Sequence, residues 1–386
     1  MPAAAPTSAS PPAHQRRFDV AIRGAGVVGQ ALALLLARER LRVALVAPAT
    51  QARPDDVRAY ALNAASRELL QSLRAWPDQT AGAVTPVTAM QVWGDGGGQL
   101  RFDAAELGTD ALTWIVDVPA LEQRLADAVG FQGGIERLTD APAAGLTVIC
   151  EGKRSRTRED VGIEFEVRPY PHMALAARLR TEHPHGGMAR QWFADGEVMA
   201  LLPLDGPTGN LVALVWSLPT QQALAWLQAD PLKLAQAVQA RSAQALGTLA
   251  MDTPAQAWPL ELARARRWTA RTPQGAVALA GDAAHAVHPL AGQGLNLGLA
   301  DAAELARVLH AREYWREPGD ARLLRRYERA RAADVQAMAF VTDGLFGLFG
   351  LADTRAQMLR NRGLSGFDRS GPLKRWFARQ AMGLSL

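Results

Sequence analysis

Gly281-Asp282-Ala283-Ala284-His285, then His288-Pro289-Leu290-Ala291-Gly292-Gln293-Gly294-Leu295-Asn296-Leu297-Gly298 and Asp301, gather carboxylates, imidazoles and glycines in one short stretch. Each type has a chemical use. A carboxylate at the end of a strand holds the hydroxyls of a polyol chain. Glycines let backbone N–H groups approach a ring carbonyl where a helix begins. A helix N-terminus carries roughly +0.5 charge and favours an anionic ring. A reduced flavin with its ribityl chain needs these groups in this order. Asp282 is therefore expected on the ribityl hydroxyls. Pro289, Gly292, Gln293, Gly294, Leu295 and Asn296 are expected around the ring. The positioning elements follow: Ala276 to Ala280 reads as the buried strand delivering Asp282, and Leu295 to Leu309 as the next helix.

A second motif lies near the other end. Phe18-Asp19-Val20-Ala21-Ile22 has a strand pattern, Gly24-Ala25-Gly26-Val27-Val28-Gly29 follows, and Gln30 to Arg38 reads as a helix. A second strand is expected from Arg42 to Ala47. Alone, GxGxxG is a weak signal that also describes a glycine-rich surface turn. Between strand and helix it reads as a dinucleotide-binding turn. The first glycine makes the turn, the second admits a pyrophosphate and the third lets helix and strand pack closely. Gly24, Gly26, Val28 and Gly29 are the expected contacts.

Together these motifs resemble the flavoprotein monooxygenases of the aromatic-hydroxylase type, and more closely the ubiquinone-biosynthesis hydroxylase family. His288 to Asp301 is similar to that family's signature at every position. Asp56-Val57-Arg58-Ala59-Tyr60-Ala61-Leu62-Asn63 resembles its arginine-bearing segment. Gln191-Trp192-Phe193, Gly196, Leu201-Leu202-Pro203-Leu204 and Val215-Trp216-Ser217 resemble its substrate-domain sheet. The resemblance runs from about Phe18 to beyond Tyr327.

The resemblance implies an α/β, two-lobed chain. A discontinuous Rossmann-like FAD-binding domain is expected over 18–85, 112–160 and 260–330. An inserted, mainly antiparallel β-sheet substrate domain would occupy 86–111 and 161–259, and a helical C-terminal tail 331–386. It implies FAD as cofactor, and NAD(P)H or a partner reductant as electron donor. It implies hydroxylation of a phenolic or quinone-like ring by O2 through a flavin C4a-hydroperoxide, the ring being that of a polyprenylated ubiquinone precursor. Arg58 would lie beside the flavin; Arg58, His288 and Pro289 are the candidates for a catalytic role. Two other readings stay open: a hydroxylase of a smaller soluble phenol, and a catalytically weak homologue acting as an accessory subunit of a ubiquinone-biosynthesis complex.

Four departures from the family pattern bear on cofactor binding. Ala47 stands where an acidic residue would bind the adenosine ribose; losing such a bond costs ~1.5–3 kcal/mol, roughly ten- to a hundredfold in affinity. Val118 stands where a polar FAD contact is often found, with Asp117 as a substitute. The Asp-Gly motif reads Glu151-Gly152, ahead of Ser155 and Arg158. The stretch Val129 to Val148 is short for the small β-meander that the family builds there.

The remaining residues take plainer readings. His285 reads as a structural hydrogen-bonding group, and His288 as a loop residue that could face the substrate. His183 and His185, spaced H-x-H, read as a solvated turn lacking a third ligand, and no metal site is expected. Cys150 is the single cysteine, so no internal disulfide forms, and it reads as a small buried strand residue in a reducing cytosol. Ser155 and Ser217 lack a base that would make either a nucleophile.

A net charge of +4, nearly all arginine, reads as a solvated surface or as attraction to an anionic membrane. No basic stripe with interleaved aromatics suggests nucleic acid. Met1 to His14 lacks the apolar core of a signal peptide and is expected to be disordered. No apolar run approaches the ~18 residues of a spanning helix. The bulky residues of Ala337 to Phe349, and Lys374-Arg375-Trp376-Phe377-Ala378-Arg379, read as interdomain core, a homo-oligomer interface or a peripheral membrane contact. The expected location is cytoplasmic, with a peripheral place at the inner membrane face as the variant.

Overall fold

The computed structural model describes residues 18–47, 56–78, 82–94, 97–206, 208–286 and 294–350, with side chains to 336. Its first layer is built from apolar runs with no polar face. Phe18–Arg23, Val43–Val46, Ala144–Ile149 and Gly275–Leu279 are buried almost throughout, as central parallel strands must be. The six-stranded order is Thr269–Thr272, Gly275–Leu279, Ala144–Ile149, Phe18–Arg23, Val43–Val46, Ile135–Leu138. All neighbours are parallel except the Thr269–Thr272 edge pair. Val20 registers with both Val43 and Leu146.

The helices Val27–Arg38, Val118–Phe131 and Gly294–His310 share one core with this sheet. Val27–Arg38 packs with both others. The final described helix, Ala321–Gly350, is anchored by fully buried Tyr327, whose hydroxyl donates to the Leu279 carbonyl at 2.8 Å. Glu328 accepts from Trp268 N and Thr269 Oγ1.

A nine-stranded sheet forms the second lobe, around the 17-residue strand Phe165–Thr181, whose register shifts between Pro169 and Met173. It is antiparallel apart from the parallel pair of Met188–Ala194 with Ala89–Trp93. Alternation sorts its two faces. Leu175, Leu179, Met199, Leu214 and Trp216 face the helices Thr220–Gln228 and Pro231–Arg241. The opposite face meets a three-stranded sheet, Ala59–Leu62, Thr113–Asp117 and Val84–Val87.

The interval after Phe131 holds a single strand, Ile135–Leu138, instead of a meander. No described helix is long and apolar enough to cross a membrane. The backbone helix continues through Ala337 to Phe349, while Met1 to His14 and Lys374 to Arg379 lie outside the described residues.

Candidate active site

The glycine turn shows why each position is glycine. Gly24 has φ +108°, and a Cβ there would lie 2.4 Å from the Cys150 carbonyl oxygen. A Cβ on Gly29 would lie 1.9 Å from the Gly24 oxygen. Both glycines permit close backbone packing within the protein. Gly26 is different: it is exposed, nothing lies within 4 Å of its missing Cβ, and it caps Val27–Arg38 without a side chain. An uncapped helix N-terminus opening on free space is a cradle for an anion. The Val28 side chain is committed elsewhere. It packs on Gly281 and Gly298, where a Cβ would come within 3.3 and 2.7 Å of it.

The Gly281 turn is fixed by Asp301, which is fully buried on the Gly294–His310 helix. Its carboxylate accepts from Gly281 N at 2.9 Å, bonds His285 Nε2 at 2.7 Å and pairs with Arg331 Nε at 2.8 Å. His285 stacks on Trp268 at 5.0 Å. His285 is therefore a strut that holds the turn. Asn296 has a comparable task. Its Oδ1 accepts from Asn63 N and Ser66 Oγ at 3.0 and 2.7 Å, and its Nδ2 donates to Ala61 O at 2.9 Å. The side chain is thus engaged within the protein.

Arg58, Tyr60 and Asp282 come together beside this turn. Asp282 is exposed to solvent, with Arg58, Lys153 and His285 as its cationic neighbours. Burial raises its carboxyl above the ordinary aspartate range; His285, Lys153 and Arg58 oppose that shift and Asp301 reinforces it. Arg58 forks onto Asp56 and donates to the Tyr60 hydroxyl at 3.3 Å. The Asp56 hydrogen bond raises the Arg58 pKa against desolvation, so the guanidinium stays charged. Burial raises the Tyr60 phenol, with Arg58 pulling it down.

At the positions of departure, Ala47 supplies only a backbone N–H, bonded to the Leu138 carbonyl at 3.0 Å. Val118 is buried. Asp117 is spent within the protein, capping Ala120 N at 3.0 Å and pairing with Arg178. Glu151 takes Arg23 Nε, Ser155 Oγ and Thr157 Oγ1 at 2.9, 2.6 and 2.8 Å. Desolvation favours its neutral form, but these three donors outweigh it and hold the carboxyl below the usual glutamate range. Ser155 also caps Arg158 N. The Arg158 guanidinium is buried over the Phe165 ring at 3.6 Å, and desolvation lowers its pKa.

His288, Pro289, Gly292 and Gln293 lie outside the described residues; Gly294 and Leu295 open the helix that follows. The reading of Cys150 as a buried strand residue is corrected: it sits just beyond its strand and is half-buried, while desolvation of the thiol raises its pKa, as suits a structural residue. The reading of His185 as solvated is corrected. It is fully buried, with Nε2 on the Leu204 carbonyl at 2.7 Å and Nδ1 accepting from Gly187 N. Only this imidazole points inward, while Glu182, His183, Pro184 and Gly186 around it are exposed. Sequence reasoning missed Arg331, which carries no motif, and Arg178, whose value lies in a pairing across the lobes.

FAD fits these residues: an open anion cradle at Gly26 and a solvent-exposed carboxylate at Asp282. Residues 139–341 match the family model described as an FAD binding domain. The chain is 32% identical to ubiquinone hydroxylase UbiL of Rhodospirillum rubrum, across 95% of this chain and 89% of that one. It is 30% identical to the 3-demethoxyubiquinol 3-hydroxylase of Escherichia coli, across 95% and 98%. Among solved structures, PqsL, a probable FAD-dependent monooxygenase of Pseudomonas aeruginosa, shares the fold with TM-score 0.74 at 22% identity, covering 90% of this chain and 99% of that one. Klebsiella pneumoniae HpxO, complexed with FAD and uric acid, does so with TM-score 0.70 at 16% identity, covering 95% and 97%. Site and comparisons together define the class, an FAD-dependent monooxygenase. Within it, the chain belongs to the ubiquinone-biosynthesis hydroxylase family.

Proposed function

We propose that this protein hydroxylates the aromatic ring of a polyprenylated ubiquinone precursor, with O2 as oxygen source. The observation that carries the reading is the grouping of Arg58, Tyr60 and Asp282 beside an open glycine cradle, in a chain similar to two named ubiquinone hydroxylases. FAD, when bound, supplies the oxygen-transfer chemistry. The turn that Gly24 and Gly29 shape receives its pyrophosphate at Gly26, and Asp282 its ribityl hydroxyls. Arg58 holds a positive charge beside the ring. Pro289, Gly292, Gln293 and Gly294, with the backbone of Leu295 and Asn296, are the ring contacts in this reading. Electrons come from NAD(P)H or a partner reductant, since one dinucleotide turn is present.

The FAD-binding part comprises 18–85, 112–160 and 260–330, and the substrate-binding part 86–111 and 161–259. A long-tailed substrate gives a peripheral membrane contact and a place in a biosynthetic complex their purpose. The test supplies reduced holoenzyme with O2 and either a prenylated phenol or phenol itself, and identifies products by mass. A gain of one oxygen on the prenylated ring, well above phenol, supports the reading. Preference for phenol points to the small-substrate hydroxylase. A protein that takes up no FAD points to the accessory subunit.

A further inference from the structure

The nine-stranded sheet contains a buried hydroxyl with no partner. Ser217 is 6% exposed, and its Oγ makes no hydrogen bond among the described residues. A buried hydroxyl left unpaired is unfavourable and calls for an explanation. Its direction follows from the alternation of its strand. Trp216 and Leu218 face the helices, so Ser217 faces the other way. That face is turned toward the FAD-binding part. On the same face Ala213 and Leu202 pack against Ala59, Ala61 and Ile115, and Arg178, in register with Ala213, reaches Asp117. Ser217 lies four residues beyond Ala213, about 14 Å further along the strand.

Around Ser217 the cover is partial, since Val198 is as buried as Ser217 but other neighbours are not. The row across it reads Phe193, Val198, Ser217, Ala174, Trp258. Bulky aromatics stand at its two ends, about 19 Å apart at the backbone, and small side chains lie between them. Ala174 and the neighbouring Val215 and Ala200 are half-exposed, and Trp258 is 37% exposed. The result is a shallow apolar trough between aromatic walls, with one unsatisfied hydroxyl in its floor.

We propose that Ser217 is the group that grips the oxygen substituent of the substrate ring as the ring lies on this trough. The proposal rests on the hydroxylase reading and extends it to a specificity-determining residue. A hydroxyl both donates and accepts, so it matches a phenol in either sense. Its hydrogen bond fixes which ring carbon faces the flavin, while the apolar trough takes the start of the tail.

The test uses FAD-loaded enzyme, wild type and Ser217→Ala, with two probes: 2-geranylphenol and geranylbenzene, which lacks the oxygen. Dissociation constants are read from the change in flavin absorbance on binding. Wild type is expected to prefer the phenol by about tenfold, near 1.4 kcal/mol. Ser217→Ala is expected to lose that preference while holding geranylbenzene within twofold of wild type, with an unchanged or higher Tm. A Ser217→Ala enzyme that keeps the full preference overturns the proposal, as does a wild type that binds both rings equally; the hydroxylase reading survives both results. FAD-loaded wild type that binds neither ring overturns the hydroxylase reading, and this inference with it.

Discussion

Gly26 and Gly29 look alike in sequence, yet alanine should act on them in different ways. At Gly29 the new methyl would lie 1.9 Å from the Gly24 oxygen and 3.0 Å from its carbonyl carbon, both backbone atoms that cannot swing aside. The helix Val27–Arg38 would have to move by more than an ångström, in a core where overpacking costs about 1–3 kcal/mol. An unfolding entropy of about 0.8 kcal/mol/K for a chain of this length converts that to a Tm loss of about 1–4 °C. At Gly26 the methyl meets nothing within 4 Å, and φ −73° suits alanine. The weaker N-cap costs under about 1 kcal/mol and is partly offset by lower unfolded-state entropy. The methyl instead occupies the space that a pyrophosphate needs. Losing one charge-assisted hydrogen bond costs about 1.5–3 kcal/mol, a Kd raised about 10- to 150-fold. Differential scanning calorimetry of the apo forms and FAD titration calorimetry separate the two effects. A Gly26→Ala protein that binds FAD as tightly as wild type would refute the placement of the pyrophosphate at this turn.

Three further outcomes are expected. Asp301→Asn removes the buried partner of the Arg331 guanidinium, leaving it only the exposed Asp334, and should destabilise by about 3 kcal/mol in chemical denaturation; a loss below about 1 kcal/mol would contradict the role given to Asp301. Because the Glu151 carboxyl is held below its usual value of 4.5, its stabilising effect is full above that pH and fades as pH falls through the lowered value. Denaturation curves from pH 6 to 3 should show wild type losing its advantage over Glu151→Gln, and a gap independent of pH would count against this. Finally, Ala47→Glu should tighten FAD binding about tenfold if the missing acid is the weak point of the site; unchanged affinity would show that the adenosine end is held by other groups.

Where chemistry and packing shared a residue, the sequence announced it. The strand, turn and helix at Phe18–Arg38, the strand before Asp282 and the helix at Gly294 were all readable from apolar runs punctuated by glycine. Asp282 and Arg58 do come together. Asn296 shows where motif reading falls short, because a residue within a cofactor signature uses its side chain to join two helices. Arg178 and Arg331 could not be found, since their partners lie 61 and 30 residues away. His185 was misread because the Pro-Gly-rich turn around it is indeed exposed, and only the three-dimensional path shows that this one side chain points inward. The trough around Ser217 depends on strand register across five strands, which no local pattern encodes.

The most direct test of the central claim is a turnover in labelled oxygen. FAD-loaded enzyme is reduced anaerobically, mixed with 18O2 and 2-geranylphenol, and the product is examined by mass spectrometry. The account predicts a hydroxylated ring carrying one 18O atom, the second oxygen atom leaving as water. Consumption of O2 with no hydroxylated ring, or a product whose new oxygen comes from solvent, would contradict it.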